Sequence, residues 1–340
     1  MVDRRKVLQG TLGGLLGATS LAGLAEAAAI AVKAPPSAGT AGLASSQTPA
    51  RADTPFSANT PSGVKRLNAK IGVVSGGKDN VLALATGGAG VLLVDSGSPG
   101  STRELLRQLG TFVGGRAAVH TLINTHWHPD QTGSNAALGK AGAKIIAQHK
   151  TWDWLSTQHY VPPPADRYVK ALPKAAWPTQ TFFSKGAMTA AGEHIEYGYL
   201  PEAHTDGDCY VYFRDSNVLA VGHAASPAQD PQLDWYGGGW IGGRLDALTQ
   251  LYKLANDHTK IVPAFGPIVT RSALKDEHDV LQVVYTRMVK LVREGYSAED
   301  MLNAGVMKGL ARTWTDPKTF VFAAFKGLWG HEDELAPNIV

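Results

Sequence analysis

The stretch THWHPDQTG, residues 125–133, sets two histidines and an aspartate at alternate positions: His126, His128 and Asp130. It follows the run TLINT (121–125), which reads as the end of a strand. On an extended chain, positions i and i+2 point to the same side, so the two imidazoles converge at the strand exit. Asp130 joins from the turn that follows. Neutral imidazoles with a carboxylate suit zinc, at Zn–N distances of about 2.0–2.1 Å. An isolated His-x-His pair is weak evidence, and only its surroundings can strengthen it. Gln131 is the residue out of place, because an amide is a poor ligand.

Outward from this stretch, strands alternate with helices. IGVVSGG (71–77) and NVLALATGGAGVLLVDSG (80–97) are β-branched and Leu-rich runs broken by Gly, the pattern of strand and hairpin. STRELLRQLGTFV (101–113) has helical spacing after a Ser/Thr start, with Glu104 placed as a capping-box acid. AAVHTLINTH (117–126) predicts a strand, SNAALGKAG (134–142) a short helix ended by Gly, and AKIIAQ (143–148) another strand. HIEYGYLPEAH (194–204), CYVYFRD (209–215), NVLAVGH (217–223) and KIVPAF (260–265) predict four more, with a helix over 244–257. From Ser272 the pattern is helical, and Ser297 with Asp300 forms a capping-type start. Such alternation predicts an α/β sandwich.

At 340 residues and 44% hydrophobic, the chain can bury a large core. A net charge of +3 with no clustered Lys/Arg run gives nucleic-acid binding no footprint. The one cysteine, Cys209, excludes an intramolecular disulfide and reads as a buried small residue. The N-terminus has paired Arg4 and Arg5, an uncharged Gly-rich segment, and an Ala25-Glu26-Ala27 cleavage pattern. Its apolar part is short and Gly-rich for a spanning helix, which needs about 20 apolar residues. Arg4-Arg5-Lys6-Val7-Leu8 resembles a twin-arginine export signal, with Asp3 and Val7 departing from the usual Ser/Thr and Phe. The expected organisation is a signal peptide (1–27), a disordered Ala/Pro/Ser/Thr-rich linker (28–64), a sandwich domain (65–270) and a C-terminal helical extension (271–340). The destination implied is periplasmic or secreted, with no stable membrane anchor after cleavage.

THWHPDQ resembles the HxHxDH motif of the metallo-β-lactamase-fold hydrolases. Four further landmarks follow in the order of that superfamily. GVLLVDSG resembles its early strand with a structural aspartate, here Asp95; EAHTDGDCYVYF resembles its HTxGD segment and supplies His204; VLAVGHAAS and TKIVPAFGP take the places of VLFxGD and PGHGP. The resemblance spans about residues 66–270 and implies a four-layer αβ/βα sandwich. It implies a first zinc site at His126, His128 and His204, with a fourth position open to water and Asp130 managing its proton.

The second site of the family is degenerate here. Gln131 replaces a histidine, His223 the bridging aspartate, and Phe265 the last histidine. Two zinc ions about 3.5 Å apart repel by roughly 19 kcal/mol at an effective dielectric of ~20. Carboxylates normally offset that, so one zinc ion is expected. Three roles stay open for His223: fourth ligand, partner or proton carrier beside Asp130, or no chemistry at all.

Two functions follow as expectations. One is a mononuclear zinc hydrolase, whose metal-bound hydroxide attacks the carbonyl of an ester, thioester, lactone or lactam. The other is a non-catalytic periplasmic relative that binds a metal or small ligand. Mononuclear iron oxygenase chemistry would use the aspartate that is His223 here. Trp235, Tyr236 and Trp240, in QLDWYGGGWIGG (232–243), are placed either to stack on a small-molecule substrate or to pack in the core. TQHYVPPPADRY (157–168) reads as a surface loop, and His120, His149, His159, His194, His258, His278 and His331 as solvated or structural.

Overall fold

GVLLV, residues 90–94, shows why the sequence builds layers. Successive side chains leave a strand on opposite faces, and all five residues here are buried, so both faces are covered. Leu92 and Val94 enter a core between two sheets, while Val91 and Leu93 pack beneath a helix. The computed structural model describes residues 63–163 and 165–331. The expected signal peptide and nearly all of the expected linker lie outside the described residues.

The first half of the fold is a seven-stranded sheet with its helices. It runs β1 (Lys65–Arg66), β2 (Ile71–Ser75), β3 (Asn80–Gly87), β4 (Gly90–Val94), α1 (Thr102–Val113), β5 (Ala118–Ile123), α2 (Pro129–Thr132), α3 (Asn135–Lys140), β6 (Lys144–Gln148) and α4 (His149–Ser156). A separate hairpin, β7 (His159–Val161) with β8 (Arg167–Val169), precedes the edge strand β9 (Gln180–Phe182). The second half pairs β10 (Lys185–Ala190), β11 (Glu193–Tyr199), β12 (Cys209–Phe213) and β13 (Val218–Gly222); after α5 (Ile241–Leu254), β14 (Lys260–Pro263) completes a five-stranded sheet. Helices α6 (Arg271–Arg293), α7 (Ala298–Asn303) and α8 (Pro317–Gly330) follow.

Three cores define four layers. Leu82, Leu84, Leu92, Val94 and Ile123 of the first sheet meet Ile195, Tyr197, Val211, Phe213 and Ala220 of the second. The opposite face of the first sheet, with Val81, Ala83 and Leu93, packs on Leu105, Leu109 and Phe112 of α1. The outer face of the second sheet, with Tyr212, Leu219 and Val221, packs on α5, α6 and α8. This is the expected helix–sheet–sheet–helix sandwich, and the C-terminal helices are continuous with its outer core. No helix among the described residues is long and apolar enough to cross a membrane.

Several local expectations are corrected. Glu104 does not cap α1; its carboxylate takes Arg107 and Gln108 one turn on, and Ser101 makes no side-chain cap. The helix expected over 244–257 is Ile241–Leu254, because Trp240 is still extended and α5 begins directly after it. Much of TQHYVPPPADRY is hairpin, its two strands paired from His159↔Val169 to Val161↔Arg167. Helix α4 and strands β9 and β10 are not expected from the sequence; at 8, 3 and 6 residues each spans only a short stretch of pattern. The Ser297–Asp300 capping box is present in full.

Candidate metal centre

Strand β5 ends at Ile123, so His126 and His128 stand in the loop beyond it, not on an extended strand as the sequence suggested. The chain enters the single turn α2 at Pro129, whose fixed φ suits a first helical position. His204 comes from the loop between β11 and β12, and His223 directly follows β13. The ring centroids of His126, His128 and His204 lie 4.7–5.0 Å apart, and His223 lies 5.2 Å from His126 and 4.9 Å from His204. Two groups of ligand atoms each fall within 4.8 Å: His126, His128 and His204; and His126, Asp130 and His223. The four sequence-predicted ligands and Asp130 therefore share one place.

Outer partners fix which ring nitrogens face inward. His204 Nδ1 lies 2.8 Å from the Gln232 carbonyl oxygen, which only accepts, so this nitrogen carries the proton and Nε2 keeps its lone pair. His128 Nε2 lies 2.8 Å from the Asp234 carboxylate, so it donates and Nδ1 faces the centre. His126 Nδ1 lies 3.2 Å from Thr125 Oγ1, whose own proton goes to Asp95 at 2.8 Å, leaving Nε2 inward. The inward nitrogens of His128 and His204 are then 3.0 Å apart. Two lone pairs at that distance repel unless a cation or a proton lies with them. Ligand nitrogens around a tetrahedral zinc are about 3.3 Å apart, so the donor set fits that ion.

Burial decides the charge states. Desolvation pushes His126 and His204 well below the ordinary histidine pKa, and neighbouring histidines push the same way. His223 is pushed down to about 4, chiefly by burial, with Asp130 opposing. At His128 burial again disfavours charge, but the Asp234 hydrogen bond and charge outweigh it, and its pKa is raised. Most of the cluster is neutral near pH 7, as ligation requires.

The predicted departures occupy distinct surroundings. Gln131 is fully buried, and neither atom of its amide has a hydrogen-bond partner among the described residues. Phe265 is 8% exposed. His223 Nε2 is 3.9 Å from Asp130, and its Nδ1 is 3.4 Å from His126 Nε2. Trp240 lies in the outer core and stacks on His331 at 4.3 Å, and Trp235 packs toward Phe322 and Lys326 of α8. Trp240 is buried by its packing, whereas Trp235 and Tyr236 are half-buried and adjacent.

Sequence reasoning missed Gln232 and Asp234. Both sit inside the segment read for its aromatics, but they lie far along the chain from the histidines they orient, and no local pattern marks them. The glycines of that segment were the available signal. A Cβ on Gly239 would stand 1.9 Å from the His204 carbonyl oxygen, so only glycine lets this loop lie against the ligand's backbone. Among the other histidines, His159 packs on Trp127 and Trp154, and His331 pairs with Glu202.

The family model described as the metallo-beta-lactamase superfamily matches residues 76–265. Among solved structures, a metallo-beta-lactamase from Pontibacter korlensis is similar at 21% identity and a TM-score of 0.51, covering 64% of this chain and 98% of its own. The BLEG-1 B3 metallo-beta-lactamase is similar at 16% identity and 0.50, covering 60% and 94%. The VMB-1 structure is similar at 15% and 0.50, covering 64% and 95%.

Proposed function

The chain belongs to the metallo-beta-lactamase superfamily, and from that membership and its histidine cluster we propose that it is a hydrolase working with a single zinc ion. The observation that carries this reading is the set of inward nitrogens on His126, His128 and His204, each turned by an acceptor behind it. The reading of one ion rests on His126. Its Nε2 serves both groups of potential ligands, its Nδ1 is engaged by Thr125, and one ring nitrogen holds one ion. Phe265 adds no lone pair and Gln131 only a neutral amide.

When bound, zinc lowers the pKa of a water to about 7 and polarises a carbonyl oxygen. The protein's own part is orientation and proton handling. Asp234, Gln232 and Thr125 hold the imidazoles in the ligating tautomer. Asp130, with its side chain 35% exposed, reaches the cluster from the solvent side and can take the nucleophile's proton. His223, neutral and 3.9 Å from Asp130, is placed to hold that carboxylate or to join the coordination. The substrate class is a small molecule with a carbonyl and a good leaving group: an ester, thioester, lactone or lactam. A leaving group that is stable by itself needs no second cation.

A second reading is a non-catalytic relative that keeps the metal or a ligand and has lost turnover. The three replaced positions, Gln131, His223 and Phe265, favour it. Export through the twin-arginine route to the periplasm belongs to the same proposal. It is checked by the N-terminus of the mature protein and by retention in the cytoplasm after Arg4→Lys with Arg5→Lys. The main experiment is metal analysis of the purified chain with hydrolysis of aryl esters, thioesters and lactams. One zinc per chain with turnover supports the hydrolase; one zinc without turnover supports the relative. A chain that binds no zinc and is equally stable in chelator sinks both metal readings.

A further inference from the structure

The segment 223–240 supplies much of what surrounds the histidines: His223, the Gln232 carbonyl and the Asp234 carboxylate. Its only regular structure is one 3₁₀ turn, Trp235–Gly237. Such a loop must have its backbone groups satisfied from outside itself if it is to hold one shape. The partners come from α5 and from the C-terminal extension, the latter beyond the family-matched residues 76–265.

Two tethers are visible. In the first, Arg244 and Glu277 are 0% and 2% exposed and paired at 2.6 Å. Arg244 donates to the His223 carbonyl at 2.7 Å and to Ser226 Oγ at 2.9 Å, while the Ser226 amide donates to Glu277 at 2.7 Å. In the second, Arg312 Nη2, between α7 and α8, donates to the Ser226 carbonyl at 2.6 Å and to the Gln229 carbonyl. The Asp230 carboxylate in turn accepts the Thr315 and Asp316 amides at 2.9 and 2.6 Å. Loop and extension thus exchange hydrogen bonds in both directions, on the residues that lead from His223 to Gln232 and Asp234.

We propose that Arg312 and Glu277 make the C-terminal extension a positioning element of the metal centre, clamping loop 223–234 so that its carbonyl and carboxylate keep His204 and His128 turned inward. The proposal rests on the metal reading above. Groups that orient ligands from behind change metal affinity by about 10–100-fold when lost, and Arg312 acts one step further out. Arg312→Ala is therefore expected to weaken zinc binding by about tenfold. Arg312→Lys keeps a donor for one carbonyl and recovers part of that loss.

The test uses the full chain and zinc competed against a chromophoric chelator. Cobalt absorption spectra report ligand geometry, and amide exchange over residues 223–234 of the metal-free protein reports anchoring. Weaker zinc binding, an altered cobalt spectrum and faster exchange in Arg312→Ala, with partial rescue by lysine, support the proposal. Native zinc affinity and native exchange in a folded Arg312→Ala overturn it. Should that variant fail to fold, Asp230→Asn loosens the same junction from the loop side and must shift affinity and exchange in the same direction, or the proposal falls. If the native chain binds no zinc, the metal reading fails separately, and exchange alone shows whether Arg312 anchors the loop.

Discussion

The two walls of the candidate metal centre are built in opposite ways. His126, His128 and Asp130 come from one short loop after β5, braced from below by Thr125 and Asp95. The other wall gathers His204, His223, Gln232 and Asp234 from two loops, and is braced by α5, α6 and the segment before α8. The near wall is a compact motif whose geometry follows from a few adjacent residues. The far wall is assembled over long chain separations, so its precision depends on hydrogen bonds that no short motif contains. Two of the departures from the family's motif fall on these walls, Gln131, next after Asp130, on one and His223 on the other.

The far wall depends most directly on His204, a potential ligand it contributes. His204→Ala is expected to take zinc content from one ion per chain to none in metal analysis. His126→Ala should do the same from the near wall. Retention of tight zinc in His204→Ala would mean that His126, Asp130 and His223 hold the ion without it. The next largest effect is a gain: Gln131→His, His223→Asp and Phe265→His together are expected to raise content from one zinc to two. The added carboxylate supplies the negative charge that two close cations require. Content that stays at one would place the cause elsewhere than in these side chains.

Asp234→Asn sharpens the contrast, because it leaves every ligand in place. Its loss removes the charge behind His128 Nε2 and is expected to weaken zinc binding by about 10–100-fold. The native His128 pKa is raised by this carboxylate, so the variant's should fall, which histidine NMR titration of the metal-free chain reads directly. An unchanged affinity would show that Gln232 and Thr125 suffice to orient the cluster.

The near wall was legible because its information is local. THWHPD names three of its groups, and the β-branched strand runs place the motif at a strand exit. His204 was legible only through resemblance, since nothing in EAHTDGD ties it to residues 76 positions earlier until the fold brings them to 3.0 Å. Gln232 and Asp234 were not legible: a carbonyl carries no sequence signal at all, and an aspartate beside aromatics reads as a surface or capping residue. Glu104 shows the converse error, a capping pattern in which longer-reaching partners, Arg107 and Gln108, compete for the acid. The hairpin β7–β8 was hidden by its prolines, which mark turns more loudly than three-residue strands mark themselves.

The smallest expected effect tests the cost of burying a carboxylate near the charge of Asp130. Asp79 is 5% exposed and accepts a hydrogen bond from Ser98 at 2.8 Å. Burial, with a further push from the Asp130 charge, raises its pKa to about 7. An unfolded aspartate titrates near 3.9, so between pH ~4 and ~7 the folded chain holds a proton that the unfolded chain has released. Stability should therefore fall as pH rises through that window, by at most ~1.4 kcal/mol per pH unit for one group. The buried His126, His204 and His223 act oppositely, since rings kept neutral by burial lose stability as pH falls, so the effect is read as a difference between proteins. Urea unfolding of the metal-free chain at several pH values should show native stability declining relative to Asp79→Asn as pH rises. Asp130→Asn should remove only part of the decline, because Asp130 supplies only the charge and burial supplies the rest. Equal slopes in the native chain and Asp79→Asn would mean that Asp79 is ionised when folded, and that its burial near the Asp130 charge carries no penalty.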